Sequence, residues 1–393
     1  VLLGLRLLDC VVDPLLGAWS DRTTNRSRLI AWSLPALAAG MIALFAPLVS
    51  GSSALVWWLA GTLAIVYAAY SVATINHQAW GAELSTDPHQ RTRITATREG
   101  LALAGVMAAA VIPGLFDDGA HGLRFLSWLF AGMLLICGGW TVLRAPRSPR
   151  PTGPVLDIIR TLPAALRVPA FRRLLGVFVI NGVAAAIPAT LVLFFIKDAI
   201  GAEARQGWFL GLYFLAAAVA MPAWVALARR IGKAEAWLVA MAVAIAAFVW
   251  ATQLRTGDTL AFLIICAASG IALSADLALP PSLLADAIDQ GPPELRAGAY
   301  FGLWTLATKF NLALAAGIAL PLVQWLGYRP GAASADGIAA LAIVYAGVPC
   351  ALKLLAALLA WRNLVRPQRS ACRAGASATL SPVTVVKEKF DAN

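Results

Sequence analysis

Runs of about twenty or more residues with almost no charge recur along this chain, and they decide what it can fold into. A helix of that length crosses the roughly 30 Å hydrocarbon core of a bilayer. Inside lipid, only helices and closed barrels satisfy every backbone N–H and C=O. About eleven such runs are legible, near 1–19, 28–50, 54–84, 93–116, 123–143, 172–197, 206–229, 234–254, 259–287, 297–327 and 337–361. Apolar residues make up 60% of the chain and charged ones 13%, with mean hydropathy +0.76. No soluble domain of this size has that balance, so the expectation is an all-α polytopic membrane protein.

The net charge of +11 would fit a nucleic-acid binder only if it were clustered. It lies instead in short loops between the apolar runs. One alternating set carries Arg22, Arg26 and Arg28, then Arg91, Arg93 and Arg98, then Arg144 to Arg173, then Arg229, Arg230 and Lys233, then Arg296 and Arg362 to Arg373. The other set holds only Arg124, Lys197, Arg205, Arg255 and Arg329. The positive-inside rule makes the first set cytoplasmic, with the C-terminus inside and the protein multi-pass in the inner (plasma) membrane. Residue 1 is then outside, and one more helix upstream would bring the N-terminus inside. No signal-peptide pattern opens the chain. The five cysteines are scattered without a CxxC, and His77, His89 and His121 have no ligand spacing, so neither a disulfide framework nor a zinc site is expected.

The 144–171 connection is long and rich in Pro and Arg. It divides the chain into an N-terminal helical bundle at 1–143 and a C-terminal bundle at 172–365, followed by a polar tail at 366–393 expected to be disordered. The halves echo each other. Ala82-Glu83-Leu84-Ser85-Thr86-Asp87 closes one span and Ala285-Asp286-Ala287-Ile288-Asp289 another, each before an Arg-bearing loop. Gly17-Ala18-Trp19-Ser20-Asp21-Arg22 has a weaker counterpart at Ala228–Lys233. Parallel six-helix repeats with a substrate site between them are the architecture of major facilitator transporters. The expected fold is therefore two six-helix bundles with the counterpart of the first helix missing.

Asp9 and Asp13 carry the functional argument. Spacing i, i+4 puts both carboxylates on one helix face, with Arg6 one turn earlier on that side. Counting back from Ser20, Asp9 lies roughly 17 Å and Asp13 roughly 10 Å into the bilayer. Ionisable groups at such depth line a pathway, bind a cation or relay protons. One arginine cannot neutralise two acids, which leaves room for a cation. The structural alternative is a buried Arg–Asp pair that fixes helix packing.

Asp9-x-x-x-Asp13-Pro14-x-x-Gly17-x-x-Ser20-Asp21-Arg22-Thr23 resembles the second helix of the glycoside–pentoside–hexuronide:cation symporters, to which the melibiose carrier belongs. Asn76-x-x-Ala79-x-Gly81-x-Glu83-Leu84-x-x-Asp87, followed by Arg91, Arg93 and Arg98, resembles their fourth helix. Leu303-Trp304-Thr305-x-x-x-Lys309, ending at Gly327-Tyr328, resembles their eleventh. The resemblance implies a cation site at Asp9, Asp13 and Ser71, the last where the melibiose carrier has threonine. Oxygen ligands suit Na⁺, and the same carboxylates can carry H⁺ instead. The Cys10 carbonyl, to which Pro14 cannot donate, would add an oxygen.

The implied substrate positions are Thr74, Gln78, Arg98, Thr305 and Lys309. Thr74 stands where sugar carriers have a carboxylate and Gln78 where they have a stacking tryptophan, so a galactoside-like substrate is in question. Asp276 is a separate intramembrane acid; it either contributes a substrate or proton site, pairs with Lys309, or caps a helix at Pro280-Pro281. Asp21, Arg22, Glu83, Asp87, Arg91 and Asp286 form an expected cytoplasmic gate of ion pairs, the alternative being helix caps and solvated charge. The expected activity is cation-coupled symport of a sugar or glycoside, with no cofactor, no nucleic acid and a monomer sufficient. An exporter or lipid-type carrier on the same fold, or a non-transporting sensor, would fit the same helices. A membrane enzyme is disfavoured, since no nucleophile–His–acid or metal constellation is visible.

Overall fold

The computed structural model describes residues 2–22, 25–146, 157–331 and 334–367, and among them there is no strand. The tail from 368 onward and the side chain of Arg6 lie outside the described residues. The N-terminal half has five helices, α1 (Leu2–Ser20), α2 (Arg26–Phe45), α3 (Ser52–Glu83), α4 (Pro88–Val111) and α5 (Gly119–Arg144). A short helix, α6 (Ile158–Arg167), lies within the connector expected as loop, which corrects that reading. The C-terminal half has α7 (Pro169–Phe194), α8 (Gln206–Ile231), α9 (Lys233–Phe248), α10 (Thr259–Ile288), α11 (Ala297–Trp325) and a last span made of α12 (Ala335–Ala342) and α13 (Val348–Ala360). Ten of these spans are long and apolar enough to cross a membrane. α1 has the length but carries Arg6, Asp9 and Asp13. At 32 residues α3 is about 48 Å long, more than the bilayer core, so it must tilt or extend past the core.

Local chemistry sets the helix ends. Asn25 and Asp118 cap α2 and α5, accepting from the amides of Arg28 and Ala120. Gly201 and Gly232 take positive φ where chains reverse between spans. Pro280 and Pro281 do not end α10, which runs on to Ile288. The helix-capping alternative for Asp276 therefore fails, because neighbouring helices support the backbone that the prolines leave unbonded.

In the C-terminal half α7 packs along α11 and α13, and α10 along α8 and α9. In the N-terminal half α2 is held between α3 and α5, and α1 runs along α3. The halves meet where α1 packs on α11 and α4 on α8 and α10. Lipid is as apolar as any side chain, so helices in it are held by close packing and polar contacts. The α1–α11 contact is built from small residues for that reason. A Cβ on Gly302 would fall 2.8 Å from the Asp13 carbonyl oxygen, and one on Gly298 would fall 2.6 Å from that of Gly17. Such close approach carries α11 side chains into reach of α1 and α3.

Candidate functional site

Lys309 on α11 reaches across the boundary between the halves. Its Nζ lies 2.5 Å from Asp9 Oδ2 and 2.7 Å from Asp13 Oδ2, both on α1. It also donates to Ser71 Oγ on α3 at 3.1 Å, and Ser71 Oγ donates to Asp9 Oδ1 at 3.2 Å. Three helices thus converge on one ammonium. Asp13 is fully buried, yet neither of its oxygens receives an aligned hydrogen bond from a described residue. Its contact with Lys309 is charge against charge, with acceptor lone pairs left over. Two carboxylates and one ammonium leave the described cluster at −1. Among the described residues no group of three or more His, Cys, Asp and Glu could hold a metal ion.

The remaining expected substrate residues do not form one set. Thr74 and Gln78 follow Ser71 on α3 at i+3 and i+7, which puts them on the face toward the cluster. Gln78 Oε1 is buried without a hydrogen-bond partner. Thr305 sits one turn before Lys309, but its hydroxyl donates to the Phe301 carbonyl of its own helix at 2.9 Å. Arg98 belongs elsewhere. It pairs with Glu99 at 2.7 Å and borders a cavity of about 660 Å³ between α3, α4 and α5, beside His77 and Arg93. Asp276 pairs not with Lys309 but with Lys353 of α13, at 2.7 Å. α7 runs along α11, and Lys309 is turned instead toward the acids of α1.

The basic end is closed by a separate network. Arg26 lies 2.8 Å from Asp21 and 2.7 Å from Glu83. The Asp21 carboxylate also accepts the Gly298 and Ala299 amides, at 2.8 and 2.7 Å, and so caps α11 from the other half. Arg296 donates to the Asp21 carbonyl at 2.8 Å. In the mirrored place Arg91 crosses to Asp289 at 2.6 Å and Asp286 at 3.6 Å, and donates to the Ala285 carbonyl at 3.0 Å. Lys233 holds Asp286 at 2.5 Å as Arg26 holds Glu83, which gives physical content to the likeness between the Glu83 and Asp286 segments.

Two of the expected gate residues act otherwise. Asp87 caps α4 through the His89 amide. Arg22 makes an exposed pair with Asp157 at 2.9 Å, a contact of about 0–1 kcal/mol. Sequence reasoning did not single out Arg26, Lys233 or Lys353 as site residues. The signal for Lys353 was the same as for Lys309, a lysine inside an apolar run; Trp237, which also bonds Asp276, gave none.

A closed network at the basic end and a shared ammonium at mid-span between two helical bundles are the arrangement of carriers whose site lies between their halves. The family model for MFS/sugar transport protein matches residues 1–364. The chain belongs to that family. Its members are transporters of the major facilitator fold and not enzymes. The mouse sphingosine-1-phosphate transporter MFSD2B is 22% identical over 394 residues, covering 90% of this chain and 78% of that one. Among solved structures, a bacterial homologue of the iron transporter ferroportin in an outward-facing state aligns with TM-score 0.70 at 18% identity, over 93% and 89% of the two chains. The E. coli fucose:proton symporter FucP aligns with TM-score 0.68 at 12% identity, over 92% and 90%. At these identities the structures establish the shared fold.

Proposed function

We propose that the protein is a cation-coupled secondary transporter of the glycoside–pentoside–hexuronide:cation type, moving a small hydroxylated solute by alternating access. The observation that carries this is Lys309 held between Asp9 and Asp13 across the two halves. When the halves rock apart, Lys309 must leave the acids. Three charges would then stand unpaired in low dielectric, at a cost of several kcal/mol each. A Na⁺ or H⁺ on the carboxylates lowers that cost by taking the place of the ammonium. Coupling follows, because the transition is permitted when the cation is bound and penalised when it is not. The basic end faces the cytoplasm of the plasma membrane, so the closed Arg26, Arg91 and Arg296 network is an inner gate.

A second reading has support of its own. The chain resembles a sphingosine-1-phosphate transporter over most of its length. It also has Thr74 and Gln78 where sugar carriers of the resembled type have a carboxylate and a tryptophan. A lipid-type amphiphile is therefore the alternative substrate. Uptake into proteoliposomes, with a panel of sugars and of single-chain lipids, under a Na⁺ gradient and separately a proton gradient, decides between them. Sugar accumulation lost in Asp9→Asn supports the first reading. Lipid movement with no sugar uptake supports the second. Transport that ignores both gradients overturns the coupling.

A further inference from the structure

The C-terminal half contains a polar cluster that coupling at Lys309 does not use. Asp276 Oδ1 accepts from Asn181 Nδ2 at 3.0 Å and from Trp237 Nε1 at 2.7 Å. Its Oδ2 lies 2.7 Å from Lys353 Nζ, which also donates to Asn181 Oδ1 at 2.8 Å. Both carboxylate oxygens are satisfied and the pair is electrically neutral. Lys353 has three protons and spends two of them here, so one donor remains.

This cluster is part of the wall of a half-open chamber of about 370 Å³, lined by α7, α8, α9, α10 and the last span. The volume falls in the range of about 300–1,000 Å³ typical of small-molecule sites. The rest of the wall is almost wholly apolar, with Pro188, Val192, Phe214, Phe248 and Leu273 among its members. Tyr213 and Tyr345 also line it. The wall's backbone is irregular. Pro188 lies inside α7 and leaves one backbone carbonyl there without its helical donor, and Tyr345 lies in a π-turn at Ile343–Gly347 just before Pro349. Irregular backbone at membrane depth is found where it lines a cavity, and π-turns recur at functional sites.

We propose that this chamber is a binding site for an elongated, uncharged small molecule with a single hydrogen-bonding end. The apolar body fills the chamber. Its hydroxyl or carbonyl oxygen accepts the remaining Lys353 proton, and the tyrosine hydroxyls supply further donors. A charged end group is selected against: Asp276 already neutralises Lys353, so an anion or a cation would each bring an unpaired charge against a mostly apolar wall. The site lies within one half and is independent of the coupling cluster.

The probe is a decanol carrying a diazirine and an alkyne, photolysed with the full chain in nanodiscs. Labelling is expected on peptides bearing Tyr213 and Leu273, reduced at least tenfold by excess decanol and far less by decanoate at pH 8. Ala189→Phe, on the chamber wall, should abolish it. Lys353→Met/Asp276→Asn, which removes both charges together, should erase the preference for decanol over decanoate. If either variant fails to fold, the native thiols serve: Cys266 and Cys350 line the chamber, and decanol should slow their alkylation by N-ethylmaleimide in the unaltered protein. Labelling confined to lipid-facing peptides, equal competition by decanoate, or thiol rates indifferent to decanol would each overturn the proposal.

Discussion

Removing the Lys309 ammonium should cost about 4 kcal/mol at neutral pH, and the cost should shrink with acid. In the intact cluster two carboxylates share one ammonium, with Asp13 fully buried and Asp9 only 12% exposed at its side chain. Lys309→Ala strands one further negative charge. Leaving it charged costs about 3–5 kcal/mol by the usual measure for a broken buried pair. The cluster can escape by binding a proton. Each pH unit of acid makes that proton cheaper by about 1.4 kcal/mol, so the loss should shrink between pH 7 and pH 5. The assay is equilibrium unfolding in mixed micelles at pH 7 and pH 5, on the wild type, Lys309→Ala, Lys309→Ala/Asp9→Asn and Lys309→Ala/Asp276→Asn. Asp9→Asn should recover much of the loss, since it restores the charge count. Asp276→Asn should recover none and should add its own cost, because it strands Lys353. A loss under about 1 kcal/mol, a loss that does not vary with pH, or better rescue by Asp276→Asn would refute this account of the cluster.

Asp9→Asn or Asp13→Asn should leave folded protein in the membrane that exchanges substrate but no longer concentrates it, measured as counterflow against net uptake; full accumulation in both would misplace the coupling site. Gly302→Leu should prevent α1 and α11 from closing, since even a Cβ there meets the Asp13 carbonyl at 2.8 Å. Overpacking of about 1–3 kcal/mol shifts the closed-to-open ratio roughly 5- to 150-fold, visible as a longer distance between spin labels at Arg28 and Arg229. A reporter fused after Arg366 should read cytoplasmic and one in the 117–121 loop external; the reverse would overturn the assigned orientation. The His121 ring and the Ala120 amide hold Asp118 below the usual carboxylate range. Its capping is therefore present above the ordinary carboxylate value and lost as pH falls through the depressed one, so hydrogen exchange at the start of α5 should quicken only in strong acid.

The apolar runs and the alternating loop charge were legible in the sequence, because each is a local property; of about eleven runs read as spans, ten form helices long and apolar enough to cross, and α1 carries too much charge to count among them. A charge inside an apolar run is costly wherever the chain goes, so Asp9, Asp13, Asp276 and Lys309 stood out without any fold. Their partners did not. Lys309 meets Asp9 across 300 positions, and Asp276 meets Lys353 across 77. Such pairings depend on which helices pack and which way each is turned. The approach of α11 to α1 through Gly17, Gly298 and Gly302 sends Lys309 to the acids of the other half. The packing of α7 between α11 and α13 gives Asp276 to Lys353 and Asn181. The same logic separates Arg98 from the cluster, since its face of α4 borders α3 and α5. The sequence by itself determined that buried charge exists and that the chain spans a membrane. Only the tertiary structure decided which charge answers which, because compensation in low dielectric works over a few ångströms and no reading of one helix at a time measures that distance.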